Sequence, residues 1–126
     1  LQQPRIPIWV GGFWPNKAPF RRAAKWDGVF PLFDVWEEAE QLAQLEAVIA
    51  YVKARRQQEH PLDIVCMGMT PGAEPAQAAA MVAQRVQRGA TWWLELIGPY
   101  ISGKDLEDEW PVDAMRERIL QGPPIQ

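Results

Sequence analysis

Short β-branched and aromatic runs that alternate with helical stretches predict an α/β fold built on a parallel sheet. Three observations carry that reading. Four runs rich in Val, Ile, Phe and Trp recur along the chain, bounded by Gly, Pro or turn residues. Stretches with apolar residues at spacings of three and four separate them. The runs are nearly apolar throughout, as strands of parallel sheets are. The chain has 126 residues, room for one ordinary domain. Four strands cannot close a (β/α)8 barrel, which takes about 200 residues or more. Residues 1–126 therefore read as one unit, either a small open sheet or part of a barrel.

Each element has its own signal. Ile6-Pro7-Ile8-Trp9-Val10 reads as a strand that stops at Gly11-Gly12. Pro15-Asn16-Lys17-Ala18-Pro19 leads into a helix over Phe20–Lys25, with Pro19 in its first turn, where a missing N–H costs nothing. Trp26-Asp27-Gly28 turns the chain into a second strand, Val29-Phe30-Pro31. From about Trp36 to Gln58 the pattern is a long amphipathic helix with Leu42, Leu45, Val48, Ile49 and Val52 as its apolar stripe. Asp34 with Glu37 three residues on matches a capping box. Acids early in this helix and bases late suit its dipole. Ile64-Val65-Cys66-Met67 is the third strand. Glu74-Pro75 opens a helix with Ala78, Met81, Val82 and Val86 inward and Gly89 at C′. Thr91–Ile97 is the fourth strand, and Asp108-Glu109-Trp110-Pro111 starts a last helix through about Leu120.

Composition removes several classes of function. Residues are 48% hydrophobic and 23% charged, a globular balance. A net charge of -3 gives no basic footprint for nucleic acid. No apolar run approaches the roughly 20 residues that span a bilayer. A single cysteine, Cys66, excludes an internal disulfide, and with one histidine it excludes Cys-rich zinc frameworks. These features predict a cytoplasmic protein with no metal, no nucleic-acid partner and no membrane partner. Seven tryptophans read first as packing; adjacent Trp92 and Trp93 face opposite sides of their strand.

Pro4-Arg5-Ile6-Pro7-Ile8-Trp9-Val10-Gly11-Gly12, then Arg22-Ala23-Ala24 and Asp27-Gly28, resembles the late-barrel signature of the bacterial luciferase-like flavin-dependent monooxygenases. That family includes oxidoreductases dependent on the deazaflavin F420. Gly89-Ala90-Thr91-Trp92-Trp93-Leu94-Glu95 resembles its last barrel strand, and the stretch from Met115 to Pro124 its closing helix. The resemblance covers nearly the whole chain and implies the C-terminal part of a (β/α)8 TIM barrel. It further implies FMN or F420 as cofactor, oxidoreductase or monooxygenase chemistry in a complete barrel, and a complementary N-terminal half or a second copy as partner. The alternative is a non-catalytic α/β module that self-associates, because a part-barrel exposes strand edges and apolar faces.

In a parallel α/β structure the functional rim lies at the carboxyl ends of the strands. Five candidate cofactor-binding residues fall there: Gly11, Gly12, Phe30, Thr70 and Glu95. Two residues without side chains let backbone N–H groups approach a phosphate, and the resemblance puts Gly11 and Gly12 near the ribityl phosphate of the cofactor; the plainer reading is a tight turn. Lys17, Arg21 and Arg22 follow and either add charge to that site or are solvated. Thr70 offers a hydroxyl in an ordinary Thr-Pro-Gly turn. Glu95 is the sole charge in an apolar strand, either functional or paired with an arginine of a neighbouring helix. His60, before Pro61, is placed to meet a helix C-terminus. No catalytic triad, nucleophile elbow or Walker loop is present, and a flavin carries its own redox chemistry.

Overall fold

The first strand runs straight through the glycine pair expected to end it. In the computed structural model, which describes residues 3–124, β1 spans Trp9–Trp14 and Gly11 and Gly12 sit inside it. There follow α1 (Lys17–Ala23), β2 (Gly28–Phe33), α2 (Glu38–Lys53), β3 (Asp63–Gly68), α3 (Pro75–Gln87), β4 (Trp92–Glu95), a 3₁₀ turn (Pro99–Ser102) and α4 (Val112–Leu120). The fold is α/β, a four-stranded all-parallel sheet in the order β1-β2-β3-β4 alternating with helices. That order never reverses. A doubly wound sheet reverses at its switch point, whereas a barrel wall does not.

The contacts group the chain into two compact units. One comprises the chain up to Cys66 with Arg85–Trp92, the other Met67–Gln84 with the chain from Trp93 on. In the first unit, β1 and β2 pair from Trp9↔Gly28 to Trp14↔Phe33, so Gly12 and Pro31 share one face while Gly11 and Phe30 share the other. The Gly12 face is the covered one. A Cβ on Gly12 would come within 2.5 Å of Pro19 of α1. Two residues on, Trp14 packs edge-on against Phe20 of α1 and Tyr51 of α2. Phe20, Val29, Leu45, Val48 and Val52 are fully buried and form this unit's core. The opposite face is open only in part: Gly11 is exposed and Phe13 keeps 57% of its surface in solvent, whereas Trp9 and Phe30 are half-buried and Val65 is fully buried.

The second unit repeats the asymmetry. Trp93 lies over Gly68, where a Cβ would reach its ring at 2.7 Å. Strand alternation then turns Met67 and Leu94 to the other side, and both are exposed. Parallel strands are ordinarily covered on both faces, so a face left partly open is the feature that most needs a functional account.

Several boundaries differ from expectation for local physical reasons. Helix α2 is capped not by Asp34 but by Glu37, whose carboxylate accepts the Glu40 N–H at 2.7 Å. Its apolar stripe is buried throughout. Val86 of α3 is exposed, not inward, while Ala78 and Val82 are buried. Gly89 closes that helix with φ +104°, a conformation other residues rarely adopt. The last helix begins later than Asp108, because the Asp108 carboxylate accepts the Asp105 N–H in a preceding turn. His60 faces the carboxylate of Asp27 at 3.3 Å rather than a helix C-terminus.

Candidate functional site

The carboxyl ends of β3 and β4 deliver Thr70 and Glu95 to one place. Glu95 is the last residue of β4, and Thr70 lies two residues beyond β3. Glu95 Oε1 accepts the Thr70 N–H at 2.6 Å, and Oε2 accepts the Thr70 hydroxyl at 2.9 Å and the Trp93 indole N–H at 2.9 Å. Arg118, from the last turn of α4, closes the arrangement. Its Nη2 lies 3.2 Å from Glu95 Oε1 and donates to Thr70 Oγ1 at 2.8 Å, while Nη1 donates to the Gly122 carbonyl at 2.8 Å. A Cβ on Gly72 would overlap the Gln121 side-chain amide and meet Arg118 Cδ at 2.9 Å, so the turn after Thr70 runs directly beneath these side chains of the α4 end.

This geometry decides what Glu95 can do chemically. A carboxylate has about four lone-pair sites, and Glu95 receives a donor at each of four positions, one of them charged. It therefore has no free site from which to act as a base or to hold a ligand. The arginine-pairing alternative for Glu95 is the one the arrangement supports, and Thr70 is committed to the same cluster. Both Thr70 and Arg118 are buried. Beside them a cleft of about 560 Å³ opens among Thr70, Gln77, Met81, Tyr100 and Glu117.

In the first unit Gly11 and Phe30 are register partners on the partly open face, whereas Gly12 points the opposite way beneath Pro19. Successive amides of an extended strand point to opposite edges. The two glycines therefore do not form a converging pair of N–H donors. Their reasons for being glycine also differ. Gly12 is demanded by packing. Gly11 is not: an added Cβ would meet only the Phe30 carbonyl oxygen, at an ordinary 3.6 Å, and its φ is not positive. Lys17 sits over the Trp14 ring, with its ammonium 3.1 Å from the ring centroid, so it is held by a cation–π contact.

Two further groups depart from ordinary titration. Asp27 accepts both guanidinium nitrogens of Arg5 at 2.6 and 2.8 Å and the Ile8 N–H at 2.7 Å, with His60 beside it. The Arg5 hydrogen bonds first, then the backbone bond, hold its carboxyl well below the usual carboxylate range. Burial pushes the Cys66 thiol up to about 11, opposed by the charge of Arg85. Neither lies at the rim. Among the described residues no cluster of His, Cys, Asp and Glu could hold a metal ion, and no helix is long and apolar enough to cross a membrane. No protein-family model, no curated protein and no solved structure matches the chain.

Proposed function

We propose that this chain is the C-terminal portion of a luciferase-like, flavin- or F420-dependent oxidoreductase, with the cofactor approaching the partly open face of β1 and β2 at Gly11. The observation that carries the reading is Gly11 itself. Packing and backbone conformation explain Gly12, but leave the absence of a side chain at Gly11 unexplained. A glycine in mid-strand weakens the strand and often marks a close approach by a ligand. Phe30 is its register partner, and an added Cβ at Gly11 would meet only the Phe30 carbonyl oxygen, so the backbone there is open to the phosphate or ribityl part of FMN or F420. When bound, such a cofactor supplies the redox chemistry, and the chain orients it and excludes water. Thr70 and Glu95 act at one remove, holding the ends of β3 and β4.

A second reading rests on apolar side chains exposed within each unit, Phe13 and Trp92 in the first and Met67 and Leu94 in the second. Large apolar side chains bared on strands mark a surface that a partner covers. A complementary N-terminal half-barrel or a second copy would do so, and the chain would then be an assembly module. Titration of the purified chain with FMN and with F420, followed by cofactor fluorescence, separates the two. Micromolar binding that Gly11→Leu abolishes supports the oxidoreductase reading. Self-association with no binding to either cofactor supports assembly.

A further inference from the structure

Four cationic side chains converge where α1 and α2 end. Arg21 and Arg22 in the last turn of α1, Lys25 just beyond it, and Arg55 past the end of α2 line, with Ala18, a depression of about 430 Å³. Arg55 is held in place: its guanidinium stacks 3.7 Å from the centroid of the Tyr51 ring and donates to the Tyr51 carbonyl at 3.1 Å. Among the described residues, none of the four forms an ion pair with an acid. The sequence explains why. No acid occurs from Pro15 to Trp26 or from Lys53 to Gln58, and the acids of α2 lie toward its start.

Bases at helix C-termini have an ordinary explanation in the helix dipole, but the magnitudes do not match. Each helix end offers only about half an elementary negative charge. Two ends thus offset about one of the four positive charges, and the remainder is ion-paired with no acid among the described residues. In a chain whose net charge is -3, this is a local reversal of sign. Guanidinium forks pair with phosphate oxygens through two parallel N–H···O bonds, and three arginines around one depression suit a group with several such oxygens.

We propose that this depression is a binding site for the phosphate group of a small molecule, preferring a diphosphate to a single phosphate. It is separate from the cofactor reading and does not rest on it, because α1 covers the face of β1 opposite Gly11. The side chains involved are exposed, so the site can be altered without touching the core.

The test is an NMR titration of the ¹⁵N-labelled chain with sodium pyrophosphate and with inorganic phosphate at low salt, reading the arginine Nε–H signals. Saturable one-to-one shifts of the Arg21, Arg22 and Arg55 signals are expected, with pyrophosphate the tighter ligand and binding weakened as salt rises. Arg22→Gln and Arg55→Gln should each raise the dissociation constant by about tenfold, a loss of about 1.4 kcal/mol, while Arg116→Gln on α4 leaves it unchanged. Unsaturable shifts that sodium chloride reproduces at equal ionic strength would overturn the proposal. So would saturation by an oligonucleotide or by anionic vesicles with none by pyrophosphate, since the surface would then serve a macromolecule or a membrane.

Discussion

Replacing Glu95 by Gln is the sharpest trial of the network behind β3 and β4. The change keeps shape, removes the charge and swaps one oxygen for an NH₂ group. If that group takes the Oε1 position, it faces the Thr70 N–H and the Arg118 guanidinium, both donors. At Oε2 it faces the Trp93 N–H, while the Thr70 hydroxyl can turn to accept. Either way a buried donor loses its acceptor, at about 1–3 kcal/mol. Arg118 also loses its counter-ion, and breaking a buried pair costs about 3–5 kcal/mol. The two side chains retain 10% and 15% exposure, which argues for the low end of that range. The two costs overlap, so the expected loss is about 3 kcal/mol, read as a fall in the urea midpoint by tryptophan fluorescence. In a double-mutant cycle, Glu95→Gln with Arg118→Met should lose less than the sum of the singles, by more than about 1 kcal/mol. A loss below about 1 kcal/mol for Glu95→Gln would refute the reasoning: the carboxylate would be solvated and available to a ligand after all.

Gly12→Ala should cost about 1–3 kcal/mol, because the new methyl lands 2.5 Å from Pro19, while Gly11→Ala should leave stability within about 1 kcal/mol of the parent; thermal unfolding compares them. Asp27 has its pKa lowered from 3.8 by Arg5 and the Ile8 N–H, so its contribution is present above that unfolded value and fades as pH falls toward the folded one. The gap in Tm between the parent and Asp27→Asn should accordingly be constant above about pH 5 and shrink below about pH 4. Cys66, pushed up to about 11 by burial, should resist iodoacetamide at pH values where an exposed thiol reacts, and become reactive in urea. Because its folded pKa is raised, stability should decline as pH rises past the unfolded value of 9.0.

What the sequence made legible were features decided locally. The apolar stripe of α2 is visible at spacings of three and four, and all five of its residues are buried. Gly89 reads as a helix stop and takes the positive φ that a stop requires. The glycine pair misleads because Gly-Gly is a local turn signal, whereas the length of β1 is set by pairing with β2 through Trp14↔Phe33. Glu95 was readable as an odd charge in an apolar strand, but its partner lies on a helix 23 residues onward. No periodicity connects positions so far apart. The basic depression was hidden differently. Net charge averages over the chain, and only folding brings Arg55 beside Arg21 and Arg22.

The apolar side chains left open on the strands bear on both functional readings at once. Phe13, Met67, Trp92 and Leu94 keep between a third and three-fifths of their surface in solvent. Fully burying such a side chain stabilises by about 1.5–3 kcal/mol relative to full exposure, so each forgoes roughly 1 kcal/mol. Together they forgo about 4 kcal/mol, comparable with the lower end of the 5–15 kcal/mol that holds a typical domain together. Exposure that costly in each unit is informative because the sheet order does not reverse. In a doubly wound sheet, reversal places helices on the second face; here each successive strand is added in the same direction, as in the wall of a barrel. Gly11 lies on the same side of β1 as Phe13, and of the strand's two glycines it is the one that neither packing nor backbone conformation calls for. On the oxidoreductase reading proposed above, covering Phe13 and admitting a cofactor at Gly11 are coupled demands on one face of β1. On that reading, a complementary half that buries Phe13 should raise the stability of this chain by a few kcal/mol and bring tighter FMN or F420 binding in the same titration, whereas Phe13→Asp should weaken both effects together.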